Sequence, residues 1–121
     1  MSLSVVVTDD SRFARKQVIR ALPEALNAEV RQATNGEEAL AAFRDQPPDL
    51  MLLDLTMPGM DGFQVLQHLA EETESFHVIV ISADVQPKAV ARVRELGALD
   101  FIKKPVDVDE LNATLKKHGF L

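Results

Sequence analysis

Acidic and basic side chains stand where short apolar runs end, and their types suit phosphoryl chemistry. Asp9 and Asp10 follow the run VVVT, Asp54 lies within LMLLDL, and Lys103 and Lys104 follow the run FI. Ser82 closes a further apolar run, 76–81. Two unit charges about 4 Å apart repel by about 4 kcal/mol at an effective dielectric of about 20. A cluster of three acids therefore calls for a counter-ion or a retained proton. The chain has no cysteine and the motifs that carry the acids and lysines hold no histidine, so their donors are oxygens alone, which favour a hard cation. Magnesium, which keeps several waters and accepts phosphoryl oxygen, suits such a set.

Each piece taken singly has a plainer reading. Asp9-Asp10 is a helix cap, Ser82 a strand-end hydroxyl bonded to backbone, and Lys104 a surface lysine. Asp54 resists this treatment, because an acid inside an apolar strand is costly without a partner. The elements around these residues decide whether they meet. Apolar runs at 5–7, 29–33, 50–55, 76–81 and 99–102 read as strands. Helical spacing falls between them. Asp10 or Ser11 caps a helix carrying Ala14, Val18 and Leu22, which Pro23 disturbs. Thr34 to Glu37 has capping-box spacing before Ala39, Leu40 and Phe43, and Pro47 and Pro48 end that helix. Asp61 caps a helix with Phe63, Leu66 and Leu69; Pro87 and Gly97 bracket the next. Asp107 with Glu110 opens the last, whose stripe is Val108, Leu111 and Leu115. Five strands alternating with five helices require a parallel sheet covered on both faces. The carboxyl ends of its strands then share one edge, where ligands bind.

A length of 121 residues and a hydrophobic content of 46% fit one globular domain, residues 1–121, and exclude a disordered chain. Without cysteine there is no disulfide framework, and no apolar run reaches membrane-spanning length. No signal peptide opens the sequence, so the expected location is the cytoplasm, with Met1-Ser2-Leu3 in part a cloning remnant. Net charge is −6: residues 1–85 hold 6 basic and 14 acidic side chains, the remainder 7 and 5. An acidic chain argues against direct nucleic-acid binding. The basic residues Lys88, Arg92, Lys116 and Lys117 mark a face for a partner.

The motifs together resemble the response regulator receiver domains of bacterial two-component signalling, the CheY-like family. The resemblance covers nearly the whole chain. It rests on Asp9-Asp10, on Leu53-Asp54 followed by Met57-Pro58-Gly59-Met60-Asp61-Gly62, on Ser82-Ala83, and on Lys104-Pro105, in this order. It implies an α/β, flavodoxin-like, doubly wound five-stranded parallel sheet of order 2-1-3-4-5 with five helices. It implies that Asp54 takes a phosphoryl group from the phosphohistidine of a sensor histidine kinase or phosphotransfer protein. Asp9, Asp10, Asp54 and the backbone carbonyl of Thr56 are implied to hold Mg²⁺, Lys104 to pair with phosphoryl oxygen, and Ser82 and the Ala83 backbone N–H to meet other oxygens. Strand alternation sends Lys103 and Lys104 to opposite sides without choosing between them; the family's Lys-Pro pair selects Lys104 and implies a cis bond before Pro105.

Phe101 matches the family's aromatic switch position, where a tyrosine is frequent, so packing alone must read the switch here. Thr56 and Asp84 match positions that tune the lifetime of the phosphoryl group. The implied output is an unknown partner protein or a covalently linked output domain, with a phosphorylation-dependent dimer as a further expectation and no membrane. The domain is expected to assist its own phosphorylation and dephosphorylation, and not to be an enzyme acting on a separate substrate. Two rival readings fit less well. An aspartyl-phosphate hydrolase would carry a second Asp where this chain has Thr56, and a nucleotide or flavin module would need a glycine-rich phosphate loop that the sequence lacks.

Overall fold

The computed structural model describes residues 2–121, so Met1 of the expected domain lies outside the described residues. Among the described residues, β1 (Leu3–Thr8), β2 (Ala28–Ala33), β3 (Leu50–Leu53), β4 (Val78–Ser82) and β5 (Asp100–Lys103) form one sheet. Helices α1 (Arg12–Ala21), α2 (Gly36–Asp45), α3 (Gly62–Ala70), α4 (Pro87–Glu95) and α5 (Val108–Lys117) follow the strands in turn. A single 3-10 turn, Glu24–Leu26, precedes β2. The strand order is β2-β1-β3-β4-β5, every pairing parallel, as the resemblance implied.

Alternation along the strands builds two cores. Val5, Val7, Leu50, Leu52, Ile79, Ile81 and Ile102 face Val18 of α1 and Leu111 and Leu115 of α5. Val6, Met51, Leu53, Val78 and Val80 face the opposite way, onto Leu40 and Phe43 of α2, Leu66 and Leu69 of α3 and Val93 of α4. Buried on both sides, β3 and β4 read as unbroken apolar runs. The edge strand β2 exposes Glu29 and Gln32, which is why its pattern is weak in the sequence.

Several boundaries differ from the sequence expectation. β3 stops at Leu53, so Asp54 is the first residue past the strand and not inside it. β4 starts at Val78 and includes Ser82, and β5 runs one residue later than 99–102. Of the two candidate caps of α1, Ser11 is the one used, its Oγ accepting from the Ala14 N–H at 3.2 Å. At α2 the box is displaced by one residue. Asn35 caps the Glu38 N–H, and Glu38 accepts from Thr34, whereas Glu37 takes no part. Those bonds hold the Glu38 carboxyl below the usual range. Asp61 and Gln64 form the reciprocal box of α3, and Asp107 caps α5 at 3.0 Å. Val108 is 51% exposed and does not belong to the buried stripe of α5, whose inner face carries Leu111, Thr114 and Leu115.

Asp100 starts β5 at the end of the sheet away from Lys104. It accepts from the Phe101 N–H at 2.9 Å and faces His118 at 2.9 Å, Arg94 at 3.4 Å and Lys117 at 3.5 Å. Burial alone would raise its pKa, but these partners outweigh it and hold the carboxyl below the usual range. The cluster fastens α4 and α5 to β5. Two members of the expected basic face are engaged within the fold: Lys117 with Asp100 and, separately, Arg92 over the Phe63 ring at 4.6 Å.

Thr8 is fully buried, and its Oγ1 meets no hydrogen-bond partner among the described residues. Valine has the same shape without the hydroxyl, and a buried unpaired polar group costs about 1–3 kcal/mol. Thr8→Val is therefore expected to raise the urea midpoint, by about 1 kcal/mol of stability; an equal or lower midpoint would show that the hydroxyl is satisfied in solution.

Candidate functional site

The strand order brings the charged residues together. β1 lies between β2 and β3, so the ends of β1 and β3 are neighbours, and the Asp54 N–H extends their ladder by one bond to the Thr8 carbonyl at 3.0 Å. Asp9 continues β1 in the same way, its N–H donating to the Ala33 carbonyl of β2 at 3.1 Å. Asp9 and Asp54 follow Val7 and Leu52 by two residues and so share their side of the sheet. Lys104 follows Ile102 by two and falls on that side as well.

This parity resolves the choice left open between the two lysines. Lys103 is exposed, while Lys104 Nζ donates to Asp9 Oδ2 at 2.7 Å and stands 3.4 Å from Asp54 Oδ1. Carboxylate oxygens of Asp9, Asp10 and Asp54 lie within 4.8 Å of one another. Asp9 and Asp54 are buried, and Asp10 is exposed. The Asp9 carboxylate is doubly held, since its Oδ1 also accepts from the Ser11 N–H at 2.9 Å.

The electrostatics follow from burial and crowding. Desolvation pushes the Asp54 carboxyl above its usual range, and the Asp9 charge pushes the same way; Lys104 and the Thr56 N–H oppose them without prevailing. Burial disfavours the Lys104 charge, yet the hydrogen bond to Asp9 and the charges of Asp54 and Asp9 prevail and hold the amine above its usual range. The site is thus an anionic group short of positive charge. Its donor set is three carboxylates with one side open at Asp10, which fits a small hard cation that keeps part of its water.

The remaining expected residues sit around this group. Thr56 is exposed, and its backbone N–H acts to lower the Asp54 pKa. Ser82 is buried, but its Oγ accepts from the Asp84 N–H at 3.1 Å and makes no hydrogen bond to Asp54. Ala83 is exposed in the same turn. The Lys104 N–H ties β5 to the Ser82 carbonyl at 2.9 Å, and the Lys104–Pro105 bond is cis. Phe101 is half-buried against the core that holds α3 and α4.

Two contributors carry no chemical signature in the sequence. Arg15 of α1 is buried and donates to the Asp9 carbonyl at 2.8 Å. Gly62 lets the start of α3 press against the acid: a Cβ there would stand 2.5 Å from the Asp54 carbonyl oxygen. A basic residue at helical spacing after a cap reads as solvated surface, and only the fold shows that this one turns inward.

The response regulator receiver domain pattern matches residues 5–116. Sporulation initiation phosphotransferase F of Bacillus subtilis is 35% identical over 121 residues, covering 98% of this chain and 94% of that protein. Chemotaxis protein CheY of Listeria monocytogenes is 34% identical, covering 95% and 97%. A protein-glutamate methylesterase/protein-glutamine glutaminase of Geobacter sulfurreducens is 43% identical over 104 residues, but the chain spans only 28% of its length. Among solved structures, the CheX-CheY-BeF3-Mg complex from Borrelia burgdorferi superposes with a TM-score of 0.88 at 30% identity, over 96% of this chain and 88% of that one.

A raised carboxyl pKa in the folded state means that the ionised acid lowers stability at neutral pH. The penalty fades as pH falls through the folded pKa towards the unfolded value. In chelator at pH 7, Asp54→Asn is therefore expected to raise the urea midpoint, and the gain is expected to shrink on acidification. A midpoint lowered at pH 7 would mean that the Lys104 contact outweighs desolvation.

Proposed function

The chain belongs to the response regulator receiver domain family and is a phosphoacceptor signalling domain, and from that premise we propose that Asp54 is the acceptor. The observation that carries this reading is the meeting of Asp9, Asp10, Asp54 and Lys104 at one edge of the sheet, with Asp54 buried and within 3.4 Å of the amine. Asp9, Asp10 and Asp54 are the residues that would hold Mg²⁺, with the Thr56 carbonyl as a fourth protein ligand. When bound, the ion would neutralise charge on the acids and on the incoming phosphoryl oxygens.

The chemistry asked of the protein is modest, because phosphoryl transfer depends mainly on positioning and charge neutralisation. An Asp54 oxygen attacks phosphorus as the phosphorus–nitrogen bond of a phosphohistidine donor breaks, and the imidazole leaves with that electron pair. Lys104, 3.4 Å from Asp54 Oδ1, would supply the cation for the new phosphoryl oxygens. The donor is a sensor histidine kinase or a phosphotransfer protein, and the residues 1–121 act as one receiver unit.

Ser82 and Ala83 are the candidates for the remaining oxygens. To reach them, the Ser82 hydroxyl must exchange its present bond with the Asp84 N–H for one to phosphate. That exchange would disturb the turn before α4, and Phe101 is placed to pack differently in response. The product is a changed surface for an output protein or a linked output domain. Catalysis of a separate substrate is no part of this reading.

Incubation with Mg²⁺ and acetyl phosphate, read by intact mass, is expected to add one phosphoryl group. The group should be absent with chelator and in Asp54→Asn. Retention of the added mass in Asp54→Asn would place the acceptor elsewhere.

A further inference from the structure

Arg15 is the sole buried Arg or Lys among the described residues, with 8% of its surface exposed. It makes no ion pair with a carboxylate among the described residues. Its guanidinium instead holds two neutral oxygens: NH1 donates to the Asp9 backbone carbonyl at 2.8 Å, and Nε donates to Gln32 Oε1 on β2 at 2.8 Å. A buried cation normally sits against a carboxylate. Here it is directed at one peptide group, the one joining Asp9 to Asp10.

That peptide matters because of what Asp10 lacks. Asp9 is fixed through its own groups, by the Ala33 carbonyl, the Ser11 N–H and Lys104. The Asp10 carboxylate is exposed and makes no hydrogen bond or ion pair among the described residues. Its place beside Asp9 and Asp54 therefore depends on the backbone that carries it. With the Asp9 N–H bound to β2 and the Asp9 carbonyl bound to Arg15, the peptides on either side of Asp9 are both pinned. The guanidinium is in turn steadied by Gln32, which pairs with Val7 across the β1–β2 ladder.

We propose that Arg15 is a positioning residue of the cation site, holding the Asp9–Asp10 peptide so that the Asp10 carboxylate stands preorganised for a divalent ion. The proposal rests on the reading of Asp9, Asp10 and Asp54 as a Mg²⁺ site. Outer groups that orient metal ligands typically change affinity by about 10–100-fold when removed.

Charge and positioning predict opposite signs, which makes the test decisive. Arg15 is a cation near an anionic site, so by electrostatics alone its removal should tighten Mg²⁺ binding. If it positions Asp10, removal should weaken binding. Mg²⁺ affinity is measured by calorimetry without any phosphodonor, on wild type, Arg15→Met, which keeps an apolar stem, and Arg15→Lys, which keeps the charge without the planar fork. Urea titration in chelator establishes that each variant is folded.

Arg15→Met is expected to raise the Kd for Mg²⁺ on the order of 10-fold, with phosphorylation from acetyl phosphate recovering at saturating Mg²⁺. Arg15→Lys is expected to weaken binding as well, by less. A Kd in Arg15→Met equal to or below that of wild type overturns the proposal. So does a wild-type Kd in Arg15→Lys, which also serves alone if the methionine variant does not fold. Failure of the wild-type protein to bind Mg²⁺ would overturn the cation-site reading beneath it.

Discussion

Crowded negative charge at the carboxyl edge of the sheet is the constraint on which the site depends. Asp9 and Asp54 are both buried, their oxygens lie with those of Asp10 inside 4.8 Å, and a single amine stands among them. Left alone, such a group opposes folding, since burial and mutual repulsion both disfavour its charged form. It persists because the fold around it is apolar and closely matched. The central strands are buried on both faces, and the acids are continuations of those strands, held by ladder bonds from Asp9 to Ala33 and from Asp54 to Thr8. Lys104, 95 residues from Asp9 in sequence, closes the arrangement with a bond of 2.7 Å.

The same strand that delivers Lys104 is anchored at its other end. Asp100 gathers Arg94, Lys117 and His118, so β5 is fastened to α4 and α5 where it begins and to the acidic site where it ends. Between the two anchors, Phe101 lies half-buried and the Lys104 N–H meets the Ser82 carbonyl. A change in charge at the site therefore bears on a strand whose far end is fixed to two helices. Arg15 plays a comparable part on the opposite side, joining α1, β2 and the acidic turn through two bonds.

Much of this was legible from residue types and spacing. The alternation of elements showed in buried strands whose apolar runs are continuous and in helices with clear caps, and the acids at strand ends pointed to a shared edge. The resemblance then supplied the strand order and the choice of Lys104. What could not be read has physical reasons. Leu55 is apolar and buried yet lies past β3, so hydrophobicity alone overran the strand. Thr34, Asn35, Glu37 and Glu38 offer two overlapping caps, and only backbone geometry selects the second. Val108 keeps helical spacing with Leu111 and Leu115 but is the first residue of α5 and is 51% exposed, so spacing alone overextended the stripe. Arg15 acts through a guanidinium turned inward, which does not announce itself in the sequence, and Gly62, though part of the motif, through a missing side chain whose reason only the fold shows.

If the acidic cluster is a charge imbalance that a divalent cation relieves, the ion must stabilise the fold. The most direct measurement is the urea midpoint of the unphosphorylated protein as Mg²⁺ is raised at constant ionic strength. A ligand bound only by the folded state stabilises by RT ln(1 + [L]/Kd), about 2.7 kcal/mol at 100 times Kd. The midpoint is expected to climb along this curve for the wild-type protein and to stay flat for Asp10→Asn with Asp54→Asn combined. A wild-type midpoint indifferent to Mg²⁺ would contradict the cation-site reading.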